Sequence, residues 1–498
     1  MKPTVSLCMI VRDEEANISK CLEGVRGLFD EMIIVDTGST DATKSIAEEF
    51  GAKVFDFPWI DDFAAARNES RRHASGRWIF WLDADDRVDE IARGRLRNLF
   101  AHLDKYDEER IPVFMISVLS KCADEETPFI MSQARMFRNE PQVRWEGRIH
   151  ERLNCTESCD QIAIHPTEVT ICHEGYADAG LRARKQFREL RLLELDYLIN
   201  PDDPMTLFYL ARIHLWQNHP TEAIRFARRS ISAEKGPSIV APMAFTIVAE
   251  SFLKLGRLMD ALAACEEGLT HFPADTSLAY RRGCTLHDLG RLAEAESCLR
   301  QLLQIPPENF SLVGRRIGIH GADARLVLAR ICARQKRWSE ADIEIRHVLA
   351  VKPTSFSLWL FLGSVNLCMG RKQEVLSLIL GLQAYPNTKM EQMVLRSQLS
   401  MADQNLEEAK GFAREAIAIR PGAIEPWAVL ADILFAEGKH PEMCIDAHRK
   451  VLAMDPSQTA VRQRLEKLLG TAWQVVPFWG NNSVRGEVAA NAPISIAG

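Results

Sequence analysis

Three carboxylates, Asp83, Asp85 and Asp86, follow directly on the apolar run 78–82 in the stretch WIFWLDADDRVDE. Like charges this close repel, and an isolated carboxylate is disfavoured at a low-dielectric border. A divalent cation bound through oxygen would compensate them. Two aspartates one residue apart at a strand end suit magnesium or manganese better than zinc. Such an ion would in turn bind a diphosphate. The competing reading is structural: Asp86 or Asp89 caps a helix starting near Val88, and the remaining acids sit in a solvated loop.

The elements around these acids follow from patterning. Over the first hundred residues, β-branched and aromatic runs at 5–11, 32–36, 53–57 and 78–82 alternate with helical patterns near 14–27, 41–50 and 62–75. Asp41 is a candidate cap for the second of these helices. This alternation predicts an α/β domain with a parallel sheet between helices. Ligands in such sheets bind beyond the carboxyl ends of the strands. Asp13, Glu14 and Asp36 are therefore expected to converge with Asp83, Asp85 and Asp86 on one acidic crevice. Asp36 also stands where a dinucleotide-binding fold places its ribose acid. The turn VRDEEANI, however, has no glycines to admit a pyrophosphate, and no Walker loop appears. Hydride transfer is thereby disfavoured.

From about residue 203 the pattern becomes nearly continuous helix with a period. LGRLMDALAACEEGLTHFPAD begins at Leu255 and LGRLAEAESCLRQLLQIPPEN at Leu289, 34 residues later. At that same offset Ala261 recurs as Ala295 and Pro273 as Pro307, while Ala341 recurs as Val375 and then Ala409, with one insertion near 308–320. Small residues let paired helices approach and the proline ends the second helix, which is the tetratricopeptide period. About seven units fit between 203 and 456, with a capping helix at 457–470. The organisation read from the sequence is thus an α/β domain at 1–190, a linker at 191–202, an all-α repeat solenoid at 203–470 and an aperiodic, flexible tail at 471–498.

Bulk composition narrows the partners. The 498 residues are 47% apolar and carry a formal net charge of −7 with both signs interspersed, so nucleic acid and anionic membrane are not expected partners. No stretch has the length or apolarity of a transmembrane segment, and the N-terminal apolar run is too short for a signal peptide. Twelve scattered cysteines fit a reducing cytoplasm. Cys155 and Cys159 lack further ligands at zinc spacing.

Taken in order, VSLCMIVRDEE, IIVDTGSTDAT and ARNESRRHASGRWIFWLDADD resemble the nucleotide-sugar half of family-2 glycosyltransferases, which implies a Rossmann-like GT-A fold. The match is close over roughly the first 90 residues and looser to about 185. The resemblance implies a UDP-sugar donor and a Mn2+ or Mg2+ cofactor. It implies Glu14 and Asp36 near uracil and ribose, Arg67 near the base or phosphates, Asp83 near the ribose and Asp85 on the metal. Val11 and Ala84 belong to the same implied nucleotide-sugar site. Two departures are Ile10-Val11-Arg12 in place of Pro-Thr-Tyr, and Thr37 in place of the second acid of the turn.

VRWEGRIHERL, residues 143–153, resembles the segment that carries the general base in inverting members. Glu151 is the candidate base, with Glu146 as its rival and His150 as a residue that would orient the base or the donor. Adjacent residues on a strand face opposite ways, so both 150 and 151 can serve only where the strand ends. His173 is implied as a further metal ligand, and Arg182, Arg184 and Lys185 as diphosphate contacts. The whole layout is similar to bacterial peptide glycosyltransferases of the sublancin S-glycosyltransferase type. That similarity implies a peptide or protein acceptor held by the repeats, with O- or S-linkage; assembly of two chains through the repeats is another use for them. A polysaccharide or lipid-linked acceptor, or a non-catalytic repeat scaffold, are the alternatives.

Overall fold

A computed structural model describes residues 4–106, 110–120, 129–155, 162–174, 179–234, 240–305, 315–316, 319–455 and 459–469. The chain divides into two compact units, Met1–Arg337 and Trp338–Gly498. The tail 471–498 and Cys159 lie outside the described residues.

The first unit opens with β1 (Val5–Val11), α1 (Ile18–Gly24), β2 (Glu31–Asp36), α2 (Thr43–Glu49), β3 (Lys53–Asp56), α3 (Phe63–His73) and β4 (Trp78–Trp81). β1 pairs in parallel with β2 and β4, and β2 with β3. All four runs expected as strands are therefore parallel neighbours. Both faces of this sheet are covered. Alternation along the strands sends Leu7, Met9, Trp78 and Phe80 into one core with Ile18, Leu22 and Phe100, and Cys8, Ile79 and Trp81 into another with Ile33, Ala64 and Phe137.

The sheet is mixed rather than wholly parallel. β5 (Asp86–Arg87), α4 (Glu90–Ala101), β6 (Ile111–Ser120), β7 (Phe129–Arg138), β8 (Val143–Glu146), β9 (Arg152–Cys155) and β10 (Ile162–His173) follow. The order across the sheet is β3-β2-β1-β4-β7-β6-β10-β5. β7 runs antiparallel to both β4 and β6, while β10 returns parallel to β6. β5 closes against the end of β10, with His173 opposite Asp86. β8 and β9 form a separate antiparallel ribbon.

Local caps differ slightly from expectation. α2 starts at Thr43, and Asp41 accepts from the Thr43 backbone N–H at 3.0 Å and from its hydroxyl at 2.5 Å, an Asx-type turn before the helix. Asp89 caps α4 through the Ala92 N–H at 2.8 Å. The stretch expected as a linker is mostly helical, because α5 spans Ala179–Ile199. Asp203 then caps α6 (Pro204–Trp216) through the Thr206 N–H, with Pro204 in the first turn where its missing N–H is harmless.

α7 (Pro220–Ala233), α8 (Ala241–Lys254), α9 (Leu258–His271), α10 (Thr276–Asp288), α11 (Leu292–Leu302) and α12 (Ala324–Arg334) complete the described helices of the first unit. The second unit contains α13 (Trp338–Val351), α14 (Phe356–Cys368), α15 (Lys372–Leu382), α16 (Lys389–Ala402), α17 (Leu406–Ile419), α18 (Ile424–Glu437), α19 (Pro441–Met454) and α20 (Thr459–Leu469). Left-handed turn residues mark the period: Asn218, Gly256, Gly290, Lys336, Gly370, Gln404 and Gly438 all have positive φ. The last four are each 34 residues apart. Ala261, Ala295, Ala341, Val375 and Ala409 are fully buried, as close helix packing requires. No helix among the described residues is long and apolar enough to cross a membrane.

Candidate active site

The acidic turn after β4 divides its carboxylates between two roles. Asp86 is fully buried and accepts from the Asp83 N–H at 2.8 Å, from Arg135 Nη1 at 2.7 Å and on its other oxygen from His173 Nδ1 at 3.0 Å. It therefore shapes the turn. Asp83 and Asp85 point to other partners. Asp85 meets His173 Nδ1 at 3.3 Å and Lys185 Nζ at 3.2 Å. Asp83 meets Arg67 Nη2 at 3.0 Å and Arg135 Nη2 at 3.7 Å. Burial opposes charge on Asp83, but the cations of Arg67 and Arg135, aided by His173, outweigh it and hold the carboxyl well below its ordinary range. Burial also opposes charge on His173, yet its bond to Asp86 and the charges of Asp85 and Asp83 raise its pKa.

The ligand atoms of Asp83, Asp85, Asp86 and His173 lie within 4.8 Å of one another. Oxygen donors with one imidazole suit Mg2+ or Mn2+. Asp86 is fully buried, whereas Asp83, Asp85 and His173 keep some exposure, so these three are the residues best placed to hold such an ion. The Lys185 ammonium on Asp85 shows that this carboxylate takes a cation at its open side. Arg182 lies in α5, and its side chain is outside the described residues.

Arg67, on α3, lies nearly buried between the acidic turn and the loop before β9. Its Nε donates to Glu151 Oε1 at 2.5 Å while Nη2 holds Asp83. Its guanidinium stacks over Trp81 at 3.9 Å, and that of Arg135 over the same ring at 3.7 Å. The neighbouring Asn68 brackets Trp145, accepting from its N–H and donating to its carbonyl, both at 2.9 Å. The Arg-Asn pair thus fixes the acidic turn and the β8–β9 ribbon together.

Glu151 and His150 sit in the loop 147–151 just before β9, with Gly147 and His150 both at positive φ. The break in extended backbone sends the two side chains to different partners. Glu151 faces Arg67, whereas His150 Nε2 bonds Glu189 at 2.8 Å and its ring stacks on Tyr209 at 3.4 Å. Burial, partly offset by Glu189, depresses the His150 pKa. The rival Glu146 is held in the ribbon by Arg144 at 2.7 Å and Asn154 at 2.8 Å.

At the other side of the crevice, Asp36 is 1% exposed at the end of β2. Its Oδ2 accepts from the Gly38 and Ser39 N–H groups at 3.0 and 2.9 Å, while the buried Oδ1 has no partner among the described residues. A buried acceptor in that state fits a ligand that donates to it. Val11 pairs with Asp36 and accepts from Thr37 N–H at 2.9 Å. Glu14 receives the Asn17 amide at 2.8 Å and has a raised pKa, chiefly from burial, with Asp85 and Asp83 adding to it. Ala84, nearly buried, accepts from Arg87 Nη1 at 3.0 Å. Asp13 is turned outward, bridging to the Thr40 N–H at 2.7 Å.

Arg135, Trp81, Asn68, Glu189 and Tyr209 were not among the residues expected at the site. Arg135 leaves a local signal, a cation in the interior of the strand run FIMSQARMFR, whose other cation, Arg138, stands at its end.

Residues 6–115 match the family model for glycosyl transferase family 2, and residues 249–310 that for the tetratricopeptide repeat. The chain is 36% identical over 207 residues to a TPR repeat-containing protein of Synechococcus elongatus, covering 40% of this chain and 49% of that one. It is 29% identical over 246 residues to the SPbeta prophage-derived glycosyltransferase SunS of Bacillus subtilis, covering 47% and 54%. A glycosyltransferase of Rickettsia felis is 28% identical over 124 residues, covering 25% and 42%. The chain spans about half the length of the first two of these relatives. An acidic turn closing a Rossmann-like sheet, followed in the chain by a 34-residue helical period, agrees with a region similar to family 2 glycosyltransferases over residues 6–115 and one similar to tetratricopeptide repeats over residues 249–310.

Proposed function

We propose that the protein is a metal-dependent, inverting glycosyltransferase that moves a sugar from a UDP-sugar to a hydroxyl or thiol of a peptide or protein. The observation that carries this reading is the set Asp83, Asp85 and His173 beside Lys185, on the same sheet as the buried, unpartnered oxygen of Asp36 at the end of β2. Asp36 would accept from the nucleoside, with Glu14, Val11 and Ala84 lining the same crevice. Asp83, Asp85 and His173 would hold Mg2+ or Mn2+, which when bound neutralises charge on the leaving diphosphate. Lys185 would take the phosphate oxygens.

Glu151 would remove the acceptor proton as the acceptor atom attacks the anomeric carbon. The bond from that carbon to the phosphate oxygen breaks, and UDP leaves with its electron pair. A superhelical repeat array suits an extended acceptor chain. That every cysteine described is a free thiol supports a cytoplasmic setting.

The test incubates the purified full chain with Mn2+ and a panel of common UDP-sugars and measures released UDP, beside EDTA and Asp85→Ala controls. Metal-dependent release supports the reading. No release from any donor, together with UDP binding untouched by Asp85→Ala, would remove it in favour of a non-catalytic scaffold. Intact mass of peptides co-purified with the chain would then identify sugar and acceptor together.

A further inference from the structure

The loop that carries Glu151 is gripped from outside the sheet. Three successive residues dock on α5 and α6. Arg148 Nε reaches Asp196 at 3.4 Å, Ile149 packs into the core formed by Leu193, Leu207 and Phe208, and His150 is stacked on Tyr209 and bonded to Glu189. The grip is itself braced. Arg212 pairs with Glu189 at 3.0 Å and lies over the Tyr209 ring at 4.5 Å. On its other side the loop bonds the sheet half through the Phe63 N–H to the Arg148 carbonyl at 2.8 Å, Arg148 Nη1 to the Asp61 carbonyl at 3.3 Å, and Arg67 to Glu151. His150 adopts φ of 52° to make its contacts, a conformation that costs an ordinary residue energy unless its surroundings impose it.

We infer that the helix α5 and the first repeat helix α6 are part of the catalytic unit: through His150, the residues Glu189 and Tyr209 position Glu151 against the donor site. This rests on the transferase reading for its chemistry, and on the contacts alone for its mechanics. Glu189 and Tyr209 are positioning residues. They are expected to govern the rate of transfer more than the affinity for nucleotide, because the Asp36 and Asp85 crevice is built from the ends of β1, β2, β4 and β10 with Lys185 of α5, whereas Glu189 and Tyr209 meet the loop through His150. The phenol oxygen of Tyr209 takes no part in the stack, so the ring face is what the loop needs.

The experiment uses the full chain with Tyr209→Leu, Tyr209→Phe and Glu189→Gln. Backbone amide exchange over 147–153 is measured with UDP binding in Mn2+ and UDP release from UDP-sugars. In Tyr209→Leu and Glu189→Gln, exchange at 147–153 should accelerate about tenfold or more. Turnover should fall between roughly tenfold and a hundredfold, since small displacements of a reacting group cost that much. UDP affinity should stay within about twofold of wild type, and Tyr209→Phe should behave as wild type throughout. Unchanged exchange over 147–153 in Tyr209→Leu, or equal loss in Tyr209→Phe and Tyr209→Leu, overturns the inference. A wild-type chain that turns over no donor removes the transferase reading, while accelerated exchange in the same variants still upholds the grip on Glu151.

Discussion

Arg67 lies between Asp83 and Glu151, giving Nη2 to the first at 3.0 Å and Nε to the second at 2.5 Å. One guanidinium fork therefore spaces the residue proposed for the donor side from the residue proposed as base. Lysine offers a point charge on a flexible stem and cannot reproduce the fork. Arg67→Lys should lower turnover about a hundredfold with modest loss of stability. Arg67→Ala should take its cation from the mostly buried Glu151 and leave Asp83 to Arg135 alone, and cost roughly 3 kcal/mol, read by denaturant unfolding.

Asp85 and Asp86 are adjacent yet should respond in opposite ways. Asp86→Asn removes the charge that Arg135 faces at 1% exposure, and a destabilisation of about 3 kcal/mol is expected. Asp85→Asn keeps the turn, and the like-charge repulsion it relieves offsets part of the pairing lost with Lys185 and His173, so stability should fall by less, about 1 kcal/mol. UDP binding measured with and without Mn2+ by calorimetry should lose its metal dependence in Asp85→Asn.

The acids of the crevice were legible because each stands at the end of an apolar run, where alternation and length locate a strand. What was not legible is who compensates them. Arg135 comes from β7, which pairs with β4 only after the chain has left and returned, and His173, expected here only through the family resemblance, arrives on β10 opposite Asp86. No short-range pattern encodes such pairings. The same holds for His150, whose partners Glu189 and Tyr209 lie 39 and 59 residues further on. The repeats were readable for the opposite reason: their contacts are local and recur, so Ala261 and Ala295 announce themselves by spacing.

Glu31 supplies a pH test of the sheet. Burial alone would raise its pKa, but bonds from the Ser6 hydroxyl, the Ser75 N–H and hydroxyl, and Lys53 bring it down to about 2. A depressed carboxyl stabilises the fold above its unfolded pKa, about 4.5, and that contribution is lost as pH falls toward 2. Its worth is on the order of 2 kcal/mol. Unfolding midpoints measured from pH 7 to 2 should fall more steeply for wild type than for Glu31→Gln, which should start lower at pH 7.

Gln404 occupies a turn at φ of 64° where Gly256, Gly290, Gly370 and Gly438 stand in other repeats. The left-handed conformation costs an L-residue roughly 1 kcal/mol. Gln404→Gly should therefore stabilise the second unit by about 0.5–1 kcal/mol, after the flexibility of glycine in the unfolded chain is subtracted. Thermal unfolding of the two proteins under identical conditions checks this.

The docking of residues 148–150 on α5 and α6 sets where this molecule can be cut and rejoined. A chimera that grafts a foreign repeat array immediately after the sheet would discard Glu189, Tyr209 and Arg212 along with the native helices. Splicing beyond α7 keeps those three side chains with the donor crevice, and so frees the remaining repeats to be exchanged as a module.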